Sequence, residues 1–426
     1  MTINRRNPMF SNLVVGILVL GLFSLVAVQS ALGLPNFARR YSATCSMCHT
    51  TPPHLNAVGY NFRRAGYRLP GEIGQEIKPD LSHLYAVRGQ LMYTTSYLET
   101  NGTKFGAHSE LAFGEANLHP ATGAFLNNWS SGFELTFTGE DAPSVEVENA
   151  YARYSYGNQE RFLTVRAGQM KPFEGYGASD RPLGNFWPLV EVATPAHNNE
   201  GSGHQLQDQS QLALELGGTW KTSTLSVAAL NGYMKAIQGD TDERRDVAVV
   251  ANQLIGETGG GVNAYFYKGS VDLPAALTPG ASFKDDYNRL AVFANFPVFK
   301  LLTKSPYISG VDLMAGYEKG KDKYDTLDAS GNLVLQDFGS GGYFGEVQWP
   351  IAKHLTWQGR YDKFDPDDKV DHNEVTGLTT TFVFPFENIR FYLEAQQLTF
   401  KQPAFATVTP PDIKTTQANA MIRFAF

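Results

Sequence analysis

A chain of 426 residues is long enough for two or three soluble domains or for one large barrel. Its net charge of −7 offers no basic surface for nucleic acid. Two cysteines in so long a chain exclude a disulfide framework.

Residues 1–33 have the parts of an export signal. Arg5 and Arg6 supply a positive start, residues 13–28 are almost uninterruptedly apolar, and Ser30, Ala31, Leu32 and Gly33 offer cleavage sites. The apolar stretch falls short of the ~20 residues that a membrane span needs. No other segment is apolar enough for a transmembrane helix, so a membrane location would be reached with strands.

Residues 34–84 form a small unit with little strand pattern, and both cysteines are in it. Cys45-Ser46-Met47-Cys48-His49 is CxxCH, the spacing of a c-type haem attachment site. Each thiol can form a thioether to one vinyl group, and the adjoining histidine can reach the iron as its proximal ligand. A zinc site needs more ligands, and a disulfide gives His49 no role. One covalent haem c is therefore expected, on Cys45, Cys48 and His49.

Pro53 fits the first turn of a following helix. Leu55, Val58, Phe62 and Ala65 recur at helical spacing, with Gly66 as the stop. Arg63, Arg64 and Arg68 cluster near it, within reach of propionates or simply of solvent. His83 is preferred over Met92 as the sixth iron ligand, and a five-coordinate iron stays open. A unit of this size is marginal alone, so the larger body is expected to complete its cover.

From residue 85 to residue 426 short alternating segments repeat, as in a transmembrane β-barrel. In 389–396, Ile389, Phe391, Leu393 and Ala395 alternate with Arg390, Tyr392, Glu394 and Gln396. Strand starts fall near 85, 109, 132, 145, 161, 211, 222, 246, 260, 286, 308, 341, 354, 373, 389 and 415, which gives about 16. Long outward connections are expected at 171–210, 232–245, 269–285, 319–340, 362–372 and 401–414. The turns on the opposite side are short, except at 120–131 and 298–307. The terminal aromatic Phe426 suits recognition by outer-membrane assembly machinery. Arg166, Arg360, Arg390 and Arg423 are read as facing the lumen.

The segment PNFARRYSATCSMCHTTPPHLNAVGYNFRRAGYRLPGE, at 35–72, resembles the fused monohaem cytochrome–porin family of iron-oxidising bacteria. Its matching elements include Phe37, Ala38, Arg39, Cys45, Cys48, His49, Pro53, Leu55, Asn56, Gly59, Phe62, Gly66 and Tyr67. The run GQMKPFEGYG, at 168–177, resembles the phosphate-selective porins. The first resemblance implies haem c, an outer-membrane barrel plugged from the periplasmic side, and oxidation of extracellular Fe(II). The implied partners are Fe(II) or another external donor, a periplasmic c-type cytochrome or similar carrier, and outer-membrane lipid. Two acidic groups, Asp240, Asp242 and Glu243, and Asp365, Asp367, Asp368 and Asp371, could gather Fe(II) or remain solvated loops. The competing expectation is a solute porin for anions, with the haem segment as plug or sensor.

Overall fold

Alternation of apolar and polar residues over more than 300 residues needs a sheet whose two faces meet different solvents. The computed structural model describes residues 35–50, 52–78, 80–138, 144–173, 182–193, 210–232, 245–256, 260–274, 282–298, 310–327, 333–386, 389–402 and 410–425. The export signal, Phe426 and the group Asp240, Asp242 and Glu243 lie outside them.

The sheet is a closed antiparallel barrel of sixteen strands. In chain order these are β1 Ala86–Thr100, β2 Thr103–His119, β3 Trp129–Thr138, β4 Ser144–Gly157, β5 Arg161–Met170, β6 Gln211–Trp220, β7 Ser223–Leu230 and β8 Asp246–Ile255. They continue as β9 Gly260–Pro274, β10 Ser282–Phe296, β11 Asp312–Leu327, β12 Leu333–Ala352, β13 Leu355–Asp365, β14 Val375–Phe386, β15 Ile389–Phe400 and β16 Ile413–Ala425. A two-residue stub, Gly123–Ala124, pairs with β3. The seam closes between β1 and β16, with Arg88 opposite Ala425 and Thr100 opposite Ile413.

The outer face is apolar and open. Leu163 is 63 % exposed, Leu378 63 % and Leu216 58 %, although each stands in the middle of a paired strand. A soluble sheet would hide such a face, whereas lipid accepts it. Trp129, Tyr156, Trp220, Trp349 and Phe386 are exposed at the strand ends nearest the N-terminal segment, where a girdle of aromatics meets the membrane interface.

Several connections differ from expectation. The barrel strands rise further than the apolar pattern does. Residues 319–340 are mostly β11 and β12, and 269–285 mostly β9 and β10. Strand β2 begins at Thr103, after a two-residue turn at Asn101 and Gly102 with φ of 49° and 74°. That turn needs positive φ at both positions, which Asn and Gly supply. Beyond the hydrocarbon layer the outer face no longer has to be apolar, but the hydrogen-bond ladder continues.

Two inserts occupy the lumen among the described residues. The segment before β1 forms a plug with helices α1 Pro35–Tyr41 and α2 Ala57–Arg64. Asn56 caps α2 by accepting from Gly59 N at 3.0 Å, so the helix starts four residues after Pro53 instead of on it. Val58 is exposed, and the helix instead buries Gly59, Tyr60, Phe62 and Arg64.

Plug and wall are joined largely through backbone carbonyls. Arg68 donates to Asn127 O and, at 2.6 Å, to Trp129 O. Ser155 Oγ donates to Ala65 O at 3.1 Å, and Arg153 donates to Arg63 O. Asn36 Nδ2 reaches Thr122 O at 2.7 Å. The long turn at 120–131 thus has a use, because it supplies the acceptors for Asn36 and Arg68. Gly66 has φ +82°, and a Cβ there would also meet Ser130 Oγ, so no other residue fits against this wall.

A second insert comes from the long connection after β5. Its described part, 182–193, includes helix α3 Leu189–Val192 and lies inside the barrel. Arg360 donates from Nη1 to Phe186 O and from Nη2 to Trp187 O, both at 2.9 Å. Glu394 Oε1 accepts from Asn185 N at 2.6 Å, and Arg423 Nη2 donates to Gly184 O at 3.2 Å. Leu189 and Val190 pack with Phe173, Tyr265, Tyr287 and Phe293 in one buried cluster across the lumen.

Candidate functional site: a cavity between the plug and the barrel wall

The CxxCH loop is held as a compact unit. His49 N donates to Cys45 O at 3.0 Å and Cys48 N to the same oxygen at 3.2 Å, closing a short 3₁₀ turn. Asn56 then fastens this turn to α2. Its backbone N donates to Cys48 O at 2.9 Å, and its Nδ2 donates to Met47 O at 3.0 Å. No disulfide joins Cys45 and Cys48. Burial, and Cys45 beside it, push Cys48 up to about 11, so its sulfur stays a thiol.

His49 is oriented by its other nitrogen. Nδ1 is 3.0 Å from Pro53 O, which makes Nδ1 the N–H donor and leaves Nε2 with its lone pair. Burial, with Arg390 next, pulls His49 down to about 4, so the ring is neutral. A neutral imidazole with a fixed tautomer is the form that binds a metal.

Cys45, Cys48 and His49 border one cavity of about 420 Å³. That is within the range of small-molecule and cofactor sites. Its apolar lining is an aromatic set: Phe37 stacks on Tyr67 at 5.0 Å, meets Phe62 edge-on at 5.1 Å, and Tyr41 meets Phe62 at 5.6 Å. Its far side is the barrel wall, with Arg88, Gln90, Asn117, His119 and Glu134. The residues present fit a flat apolar macrocycle held by two thioethers and a histidine.

Gly59 decides how closely α2 can approach the loop. A Cβ there would sit inside the contact radius of the Cys48 carbonyl oxygen and 2.9 Å from Leu55 Cδ2. Gly59→Ala is expected to push the helix off the loop and destabilise the plug by about 1–3 kcal/mol, as overpacking does. Faster proteolysis of the segment 35–84 at unchanged barrel yield checks this, and wild-type resistance would contradict it.

Neither expected sixth ligand reaches the cavity. His83 ends a short turn outside it, with Nε2 3.6 Å from Asp80 Oδ2. Met92 does face the lumen on β1, but it packs with Leu183, Val383, Tyr392 and Met421. Of the three clustered arginines only Arg63 borders the cavity; Arg64 is buried on Tyr60 and Arg68 holds the wall. The lumen arginines are engaged in structure. Arg166 pairs with Glu215 at 2.6 Å, Arg360 with Asp362 at 2.8 Å, and Arg390 donates to Pro52 O at 3.1 Å. Asp365 and Asp367 accept from backbone N–H groups of their own loop, and no metal-type cluster of carboxylates, His or Cys occurs among the described residues.

His119 was not marked by any functional signal in the sequence, whereas Asn56 and Gly59 stood only among the matching elements of the resemblance. His119 is a lone histidine ending an alternating strand, and the fold of the barrel around its plug places it on the cavity that the CxxCH loop borders.

No protein-family model and no curated protein sequence matches the chain. Solved structures do resemble it. The outer membrane channel DcaP of Acinetobacter baumannii aligns at 13 % identity and a TM-score of 0.50, over 82 % of this chain and 100 % of that one. OmpF of Salmonella typhi, in complex with daunomycin, aligns at 11 % identity and a TM-score of 0.49, over 80 % and 97 %. The chain has the fold of an outer-membrane porin.

Proposed function

We propose that this protein is an outer-membrane electron-transfer protein that holds one covalent haem c inside its barrel. It would move electrons between an extracellular donor, Fe(II) first among candidates, and a c-type cytochrome or similar carrier in the periplasm. The observation that carries the reading is the convergence of Cys45, Cys48 and a His49 ring fixed through Nδ1 on one aromatic-lined cavity. Haem, when bound, supplies reversible one-electron chemistry whose potential depends on burial, ligation and nearby charge.

The chain's own part is to hold and shield. Asn56 sets the loop, Pro53 O orients His49, and Phe37, Phe62 and Tyr67 exclude water from one side. A lumen occupied by two inserts suits a protein through which only electrons need pass, since an insoluble Fe(III) product then stays outside the cell.

Stopped-flow absorbance of the oxidised, detergent-solubilised protein mixed with Fe(II) tests the donor. Rapid appearance of a reduced c-type α-band is the expected outcome. A haem reduced by dithionite but inert to Fe(II) would remove iron as donor.

The second reading is a solute porin whose plug regulates passage. The fold shared with the channel DcaP favours it. The two inserts in the lumen are the observation against it, and ion conductance separates the two.

A further inference from the structure

We propose that His119, from the barrel wall, supplies the second axial ligand to the iron, an assignment that rests on the haem reading above. Among the described residues bordering the cavity, His119 is the one imidazole besides His49. It is buried, at 4 % exposure, at the end of β2.

The two histidines come from different parts of the structure, His49 from the plug and His119 from the wall. His49 lies near Arg390 of β15, and His54, on the same loop, lies 3.5 Å from Gln348 of β12. Passing around the barrel from β15 through β16 and β1 leads in three strands to β2, where His119 stands on the same cavity. Gln90 and Arg88 of β1 are also on its border.

The surroundings of His119 resemble the support that metal-binding histidines receive. Its Nε2 lies 3.5 Å from Glu134 Oε1, at ion-pair distance. That carboxylate is itself held on both oxygens, by Arg88 Nη2 at 2.7 Å and Asn149 Nδ2 at 3.0 Å. A carboxylate that hydrogen-bonds one ring nitrogen fixes the ring and raises the basicity of the other; Glu134 stands close enough to Nε2 to take that part, and Nδ1 would then be the ligating nitrogen. Other polar residues on the cavity are less suited. Met47 sits between the thiols on the loop of His49, and Lys171 is drawn to Glu148 at 3.5 Å. The consequence is a six-coordinate iron bridging plug and barrel, closed to small exogenous ligands.

The test is the spin state of the ferric haem, read by EPR and visible absorption of the full chain. Covalent haem is counted as pyridine haemochrome. Wild type is expected to be low-spin. H119A should keep its thioether-bound haem, lose the low-spin signal in most of it, and regain that signal on adding free imidazole. Should H119A fail to retain haem, H119M reads the same point, with a thioether-ligated low-spin spectrum replacing the bis-imidazole one. An H119A or H119M spectrum identical to wild type, or a high-spin wild type, would overturn the assignment and leave the haem reading standing. A wild-type protein without covalent haem would overturn both.

Discussion

Exchanging both Cys45 and Cys48 for serine is expected to give a barrel that folds and inserts but carries no covalent haem. The barrel ladder runs from β1 to β16 and closes on itself, and neither cysteine lies in a strand. The plug also keeps most of its attachments, since Arg68, Arg153, Ser155 and Asn36 act away from the loop. Loss should therefore be near complete for haem and slight for the barrel. Haem staining of denaturing gels reads the first, and heat-modifiable mobility reads the second. Stain surviving in the double variant would refute attachment at CxxCH.

Planar-bilayer recordings are expected to show little ionic current through the wild-type protein, and frequent openings in Arg360→Ala. Arg360 is fully buried between Glu346, at 3.6 Å, and Asp362, at 2.8 Å, and it holds Phe186 and Trp187 of the lumen insert. Removing it leaves two carboxylates without their cation and frees the insert. Breaking a buried ion pair in this way costs about 3–5 kcal/mol. A lowered denaturation midpoint should accompany the openings. A large, steady wild-type conductance would instead favour the solute-porin reading.

The barrel was legible because lipid imposes a simple rule on the outer face. Leu393 points out and Glu394 points in for the same reason at nearly every strand. Where strands leave the membrane the rule lapses, and residues 319–340, charged and without alternation, read as a loop while they pair as β11 and β12. β-Bulges obscure parity too: the register of β1 on β2 slips between Gly89 and Leu91, so neighbouring inward positions no longer differ by two. The CxxCH loop was legible because its chemistry is local. The rest of the cavity was not. His119 is separated from His49 by 70 positions, and its approach depends on how the barrel folds round its plug. The lumen arginines show the same limit, for their inward direction followed from alternation while their partners on the insert did not.

The seam between β1 and β16 bears on the order of events during biogenesis. Strand β1 starts where the plug ends, and β16 is the last strand to be synthesised. Arg423 and Ala425 of β16 border the same cavity as Cys45 and Cys48. The chamber therefore has no complete wall until the final strand zips onto the first. On the haem reading, a bulky rigid group bonded to the two thiols would be mounted on the exported chain before the seam shuts. Maturation of the cofactor segment and insertion into the membrane would then be a timed sequence, with barrel closure as the irreversible step.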